Sequence, residues 1–210
     1  MSINSDITRK IDLENNDGLS AWRNHSAQQS HHAYGIFWDF IHTTKPNRIL
    51  EIGTALGGFT NFLDYACRNY NLNTKILSYD ISERSWYKEM VSDTIDVKVQ
   101  NIFNESYTRL IDSSVSDFIG LDGRAIVLCD GGCKVCEFNI LSQYLKKDDI
   151  IMTHDYAPTT EYFNTTMKGK VWNWHEIKDS DIQLSIDKYN LKPFMHEEMV
   201  SVAWGSFIKE

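Results

Sequence analysis

Short apolar segments alternate with helical-period segments along the middle of the chain, and this alternation restricts the fold more than any other feature. RILEI (48–52) is a short apolar run, and the stretch after it sets Phe59, Phe62, Leu63, Ala66, Cys67 and Tyr70 on one helical stripe. KILSYD (75–80) is a second run. A polar helix is expected over SERSWYKEMVSD (82–93) and a third strand over VKVQNI (97–102). ESYTRLIDSSVSDFIG (105–120) reads as a helix with Leu110, Ile111, Val115 and Phe118 inward. RAIVLCD (124–130) is apolar without alternation from Ala125 to Leu128, the pattern of a parallel strand buried on both faces. KVCEFNILSQYLK (134–146) is helical, the acids Asp148 and Asp149 mark a turn, and DIIMTHD (149–155) is the fifth strand.

Strand and helix alternating in this way mean an α/β fold, a parallel sheet with helices on both faces and right-handed crossovers. After Asp155 the pattern breaks. Residues 156–178 are aromatic-rich and aperiodic, SDIQLSIDKYN (180–190) reads as a helix, and KPFMHEE (192–198) and VSVAWGSFIK (200–209) read as two strands. These are joined too tightly for a helical crossover, so an antiparallel pair closes a seven-stranded, mostly parallel sheet. HSAQQSHHAYGIFWDFIHTTKP (25–46) is expected to be helical, ending near Pro46. We divide the single domain expected over 1–210 into an N-terminal helical segment (1–46), a core (47–155), an irregular insertion (156–178) and a C-terminal helix with a strand pair (179–210).

A chain of 210 residues, 42% hydrophobic, suffices for one full core. The formal charge of -8 disfavours a nucleic-acid partner, which needs clustered Lys and Arg. The first twenty residues lack the apolar core of a signal peptide, and no run approaches the roughly 18 apolar residues of a membrane span. A cytoplasmic protein is expected, and a homo-oligomer is compatible with the sequence. Cys67, Cys129, Cys133 and Cys136 fit a reducing compartment. CKVC (133–136) suits a redox pair or half a zinc site, but no second ligand pair follows it, and ordinary packing is the preferred reading.

In such a sheet, ligands bind beyond the carboxyl ends of the strands. Those ends are Glu51 to Gly58, Asp80, Asn101 to Phe103, Asp130 and His154-Asp155, and each carries a polar group. Gly53, Gly57 and Gly58 suggest a ligand close to the backbone at the first strand-to-helix turn. From Gly53 the chain reads Gly-Thr-Ala-Leu-Gly-Gly, so Ala55 breaks the dinucleotide fingerprint, and Phe59 stands where a phosphate-binding loop needs Lys. Glu51 ahead of the glycines repels an anion and attracts a cation.

ILEIGTALGG resembles the first motif of class I S-adenosylmethionine-dependent methyltransferases, in which an acid two residues before a glycine opens the loop around the methionine part of the cofactor. KILSYD ends in Asp80, where that family's pattern takes the ribose hydroxyls, and QNIFN (100–104) sits where adenine is contacted. The resemblance covers roughly residues 35–209 and implies a Rossmann-like methyltransferase fold. It implies a cofactor site of Glu51, Gly53, Thr54, Ala55, Gly57, Gly58, Asp80, Ile81, Asn101, Ile102, Phe103 and Asp130.

LCDGGCKVCEFNILSQYLKKDDIIMTHDY (128–156) is similar to the cephalosporin-hydroxylase-like and small-molecule O-methyltransferase branch, where an acid ending the fourth strand and a pair ending the fifth hold magnesium. The corresponding residues are Asp130, His154 and Asp155. His154 is a softer ligand than magnesium prefers, leaving manganese, an ion that His154 holds only indirectly, or no metal as alternatives. Methyl transfer to oxygen is an in-line displacement helped by removing or acidifying the hydroxyl proton. Lys134 is the candidate base, with Asp130 beside it, provided its pKa is depressed by the metal's charge or by burial. The implied activity is O-methylation of a small hydroxylated acceptor such as a sugar, glycoside or phenol. The alternatives are a metal-free or hydroxylase-type enzyme on the same pocket, and a non-catalytic binding protein with this fold. Trp172 and Trp174 suit either an acceptor floor or a lid, and a solvated face is the preferred reading for His25, His31 and His32.

Overall fold

Strands form where the sequence is apolar on both sides of the backbone. In the computed structural model, which describes residues 21–22 and 25–210, a small ribbon of Ala21–Trp22 (β1) and His25–Ser26 (β2) precedes helix Ala33–Thr44 (α1). Arg48–Ile52 (β3), Gly58–Asn69 (α2), Lys75–Asp80 (β4), the short helix Tyr87–Met90 (α3) and Ile95–Val99 (β5) follow. Ser113–Gly120 (α4), Ala125–Cys129 (β6), Lys134–Leu141 (α5) and Ile150–Thr153 (β7) complete the alternation. The chain closes with Asp179–Lys188 (α6), Leu191–Pro193 (β8), His196–Val200 (α7) and Gly205–Lys209 (β9). The part of the N-terminal segment before Ala21, expected to lack a signal-peptide core, lies outside the described residues.

The seven-stranded sheet has the order β5-β4-β3-β6-β7-β9-β8. β3 to β7 pair in parallel, and β9 runs antiparallel to both β7 and β8. Every residue of β3, β6 and β7 is buried, because successive side chains enter different cores. Ile49, Ile126 and Ile150 pack with α1 and α2, whereas Leu50, Val127 and Ile151 pack with α4, α5 and α6. Buried Arg48 ties β3 to the end of α4, donating to the carbonyls of Leu121 and Gly123 at 2.6 Å and of Asp122 at 2.5 Å. Among the described residues, no helix is long and apolar enough to cross a membrane.

Several boundaries differ from the sequence expectation for local reasons. The N-terminal helix begins at Ala33 rather than His25, since β2 pairs with β1 and Gln28 takes a positive φ of 50°. The third strand lies at Ile95–Val99, with Ile95 paired to Ile76, and the Asn101 side chain turns the chain by accepting from Phe103 N. Only Tyr87–Met90 of the expected helix over 82–93 forms, because Asp80 Oδ1 captures Ser82 N and holds an open turn. The helix expected from residue 105 starts at Ser113, where Asp112 caps it; Asn104 folds the preceding residues into a loop. Ile111 therefore lies outside the helix and is 54% exposed, not inward. At the C-terminus, α7 occupies half of the strand expected over 192–198, yet β8 and β9 still pair antiparallel.

Cys133 and Cys136 are joined by a disulfide across the first turn of α5, not packed as free thiols. Three residues of spacing at this helix start bring their Cα atoms to 5.3 Å, within bridging range. Cys67 and Cys129 are free and buried.

Candidate active site

Because β3 to β7 are parallel, their carboxyl ends share one edge of the sheet, and the polar residues that follow them gather there. Two adjacent hollows open along this edge and share Gly53, Ala55 and Asp130. One, of about 200 Å³, is walled by Asp80, Ile81, Asn101, Ile102, Phe103, Tyr107 and Glu137. The other, of about 230 Å³, is walled by Glu51, Thr54, Phe59, Lys134, His154, Asp155, Trp172, Trp174 and Glu176.

The first turn is held in place by the chain itself. Gly53 N donates to Tyr79 O at 2.8 Å, and Gly57 N to Thr54 O at 2.8 Å. Ala55 N donates to Asp80 Oδ2 at 2.7 Å, while the Tyr87 hydroxyl donates to Ala55 O at 2.7 Å. A Cβ on Gly53 would strike the Asp130 backbone, and one on Gly58 would strike the His25 and Ser26 carbonyls. On Gly57 it would strike the Met90 sulfur. The chain's own packing thus explains the glycines; Gly57 and Gly58 line neither hollow, contrary to the sequence expectation.

Glu51 is buried at the end of β3, and its Oε2 accepts from Thr60 Oγ1 at 2.6 Å and Ser78 Oγ at 2.5 Å. Burial outweighs these two hydrogen bonds and raises its pKa to about 7. Asp80 uses one oxygen on Ala55 N and the other on Ser82 N, which fixes the carboxylate at the rim of the smaller hollow. Phe103 and Tyr107 form its aromatic wall, with ring centroids 5.8 Å apart. Glu137 accepts from Gly131 N and Cys133 N, both at 3.0 Å, and shapes the loop after β6; burial raises its pKa to about 7 as well.

Asp130, His154 and Asp155 form a cluster whose ligand atoms lie within 4.8 Å of one another. His154 Nδ1 lies 2.9 Å from Asp130 Oδ1, and its ring stacks on Trp204 with centroids 4.8 Å apart. Burial lowers the histidine's pKa, but the Asp130 charge and hydrogen bond prevail and leave it raised. Asp130 Oδ2 accepts from Gln29 Nε2 at 3.1 Å, and Gln29 Oε1 accepts from Trp204 Nε1 at 2.8 Å. Asp155 Oδ1 accepts from Trp172 Nε1 at 2.5 Å. Its burial is outweighed by the charges of His154 and Lys134, which hold the carboxyl below its ordinary value. Two carboxylates and an imidazole whose Nδ1 faces both acids are a donor set suited to a divalent cation.

The Lys134 ammonium stands beside this cluster, 3.0 Å from Asp155 Oδ2, 3.0 Å from Glu176 Oε2 and 3.8 Å from Asp130 Oδ1. Burial acts to depress its pKa, but the charges of Asp130 and Asp155 win, and the group is held above its ordinary value. In this arrangement it is a cation, and the depressed pKa that the role of base requires would have to come from the charge of a bound metal.

Gln29, Glu137 and Glu176 were not among the residues picked from the sequence. Gln29 and Glu137 come from stretches that read as helix and Glu176 from the aperiodic segment, so no spacing pattern marks them. Trp172 was noted, but its bond to Asp155 depends on the fold. Ser30, His31, His32, Lys170, Trp172 and Trp174 line a further groove of about 420 Å³, and His25 stacks on Trp86 instead.

No family model matches the sequence, and no curated protein is detectably similar to it. Solved structures do match. A CmcI structure described with Mg and SAM is 13% identical, with a TM-score of 0.64 over 95% of this chain and 80% of that one. An apo CmcI structure is 11% identical, with a TM-score of 0.63 over 94% and 79%. A putative caffeoyl-CoA O-methyltransferase from Staphylococcus aureus is 12% identical, with a TM-score of 0.53 over 85% and 83%. The chain thus has the Rossmann-like fold found in these methyltransferases, with the antiparallel strand pair at the end of the sheet.

Proposed function

We propose that this protein is an S-adenosylmethionine-dependent methyltransferase acting on an oxygen of a small hydroxylated acceptor, with a divalent cation at Asp130, His154 and Asp155. One observation carries the reading: two hollows meet at Gly53 and Asp130, one edged by Asp80 and the other by buried Glu51, and the second opens onto the acid–imidazole cluster.

In this reading the cofactor lies across both hollows. Asp80, already oriented by two backbone N–H groups, offers its remaining lone pairs to the ribose hydroxyls, and Phe103 and Tyr107 flank the adenine. Glu51 faces the methionine ammonium and ionises fully when that charge arrives. A divalent ion, when bound, supplies Lewis acidity that lowers the pKa of a coordinated hydroxyl. The methyl group passes from sulfur to the acceptor oxygen, the S–C bond breaking as the O–C bond forms, and the hydroxyl proton passes to solvent water. Lys134, as a cation, steadies the negative charge developing on that oxygen. Trp172 and Trp174 wall the acceptor side, and the groove beside them gives the acceptor room to extend.

A second reading, a metal-free methyltransferase, is favoured by the Lys134 ammonium, which already supplies a cation to Asp155 and Asp130. Thermal stabilisation separates the two. The metal-assisted reading expects stabilisation by S-adenosylhomocysteine and, additionally, by magnesium or manganese. Response to the cofactor alone supports the metal-free enzyme, and response to neither removes the methyltransferase reading.

A further inference from the structure

Counting charges around Lys134 gives an uneven result. Its Nζ is in contact with Asp155 and Glu176 at 3.0 Å and lies 3.8 Å from Asp130, so three carboxylates face one ammonium. These four groups together carry two negative charges in excess, equal to the charge of one divalent cation. Asp130 and Asp155 are otherwise engaged: Gln29 and His154 hold the first, and Trp172 holds the second. On Asp155 Lys134 faces Oδ2, the oxygen that Trp172 leaves, and on Asp130 it lies nearest Oδ1, the oxygen that His154 also engages. An entering ion must therefore share or take those oxygens from the lysine.

Glu176 gives the lysine another partner. It belongs to the irregular segment 156–178, and its backbone N donates to Asp155 O at 3.0 Å beside the Tyr156–Ile177 bridge. This places the Glu176 carboxylate at the mouth of the cluster, with its side chain 48% exposed, whereas Lys134 is only 7% exposed. The Lys134 ammonium also donates to Gly131 O at 3.1 Å.

We propose that Lys134 is an internal competitor for the divalent cation, and that Glu176 is the seat to which it withdraws when the ion takes Asp130 and Asp155. The inference rests on the metal-assisted reading. Glu176 acts through Lys134 and is a positioning residue, not a ligand. With the ion bound and Lys134 paired to Glu176, the charges of the ion, the ammonium and the three carboxylates sum to zero.

The test is a double-mutant cycle on Mn²⁺ affinity, measured by the loss of the free-ion paramagnetic resonance signal on titration into the full-length protein, without turnover. Lys134→Met should bind Mn²⁺ about tenfold or more tighter than wild type, because a buried competing charge is gone. Glu176→Gln should bind about tenfold or more weaker, because Lys134 then has no seat outside the cluster. In the double variant, the Glu176 change should have almost no effect. Unfolding curves of each variant establish that the comparison is made on folded protein. Affinity unchanged by Lys134→Met overturns the proposal, as does a Glu176→Gln loss that persists in the Lys134→Met background, which would make Glu176 a direct ligand. Absence of Mn²⁺ binding by wild type and Lys134→Met alike removes the metal-assisted reading and this inference with it.

Discussion

The indole N–H of Trp172 donates to Asp155 Oδ1 at 2.5 Å, binding the irregular segment after β7 to an acid of the candidate active site. The two residues belong to one surface: Trp172 also lies 4.9 Å from the His154 ring and 5.0 Å from the Trp174 ring, centroid to centroid. Segment 156–178 is thereby a structural wall of the site.

Trp172→Phe keeps an aromatic ring and removes the donor. A hydrogen bond to a buried charged group is worth about 1.5–3 kcal/mol, so the variant should unfold several degrees below wild type. The Asp155 pKa should rise, since one of the interactions holding it down is lost. A thermal scan checks the first effect, and carboxyl titration by NMR checks the second.

Glu51 makes the pH dependence run opposite to that of a salt-bridged acid. Its folded pKa is raised by burial to about 7, and that of Glu137 is raised likewise. A raised folded pKa means that the folded protein holds protons the unfolded chain has already released. The associated stability is complete below the ordinary carboxyl value and is lost as pH rises through about 7. The ligand-free protein should therefore melt at a higher temperature at about pH 5.5 than at about pH 8. Each group contributes roughly 2 kcal/mol to the difference. Glu51→Gln should remove its share of the slope. S-adenosylhomocysteine carries an ammonium that favours ionised Glu51, so its affinity should rise with pH across the same interval in wild type and stay flatter in Glu51→Gln. Calorimetric titrations at several pH values check this.

Asp80→Ala removes a carboxylate that accepts from Ala55 N and Ser82 N. Cofactor affinity should fall by about 1.5–3 kcal/mol from the lost charge-assisted hydrogen bonds. Asp80→Asn, which retains one acceptor oxygen, should lose less. Unchanged affinity for S-adenosylhomocysteine in Asp80→Ala would remove this residue from the site.

Arg48 offers a contrast far from the cofactor edge. Arg48→Met would leave the Leu121, Asp122 and Gly123 carbonyls without their shared donor. We expect a loss of about 3 kcal/mol or more in unfolding free energy with cofactor affinity unaltered in the folded fraction. Denaturant melts with and without S-adenosylhomocysteine make the comparison.

The order of strands and the gathering of Glu51, Asp80, Asp130, His154 and Asp155 were legible because each acid or histidine follows an apolar run that can only be a buried strand. Strand ends in a parallel sheet must share an edge, so local pattern becomes long-range position. What stayed hidden depends on contacts that have no period. Gln29 reaches Asp130 and Trp204 from a stretch that breaks the expected helix at Gln28. Glu176 and Trp172 find their partners only after the irregular segment folds back over β7. The glycines were legible only in part: at Gly58 the close neighbour is the chain's own backbone, which a one-dimensional reading does not distinguish from a ligand, while Gly53 both meets that backbone and lines the two hollows. Helix boundaries moved wherever a side chain captured the backbone, as Asp80, Asn104 and Asp112 do.

The most direct measurement is a crystal structure of the protein with S-adenosylhomocysteine and Mn²⁺. The account predicts the ribose on Asp80, the ammonium facing Glu51, the sulfur beside Gly53 where the two hollows meet, and the ion between Asp130 and Asp155. A ligand bound elsewhere on the molecule, or hollows still empty at saturating ligand, would contradict it.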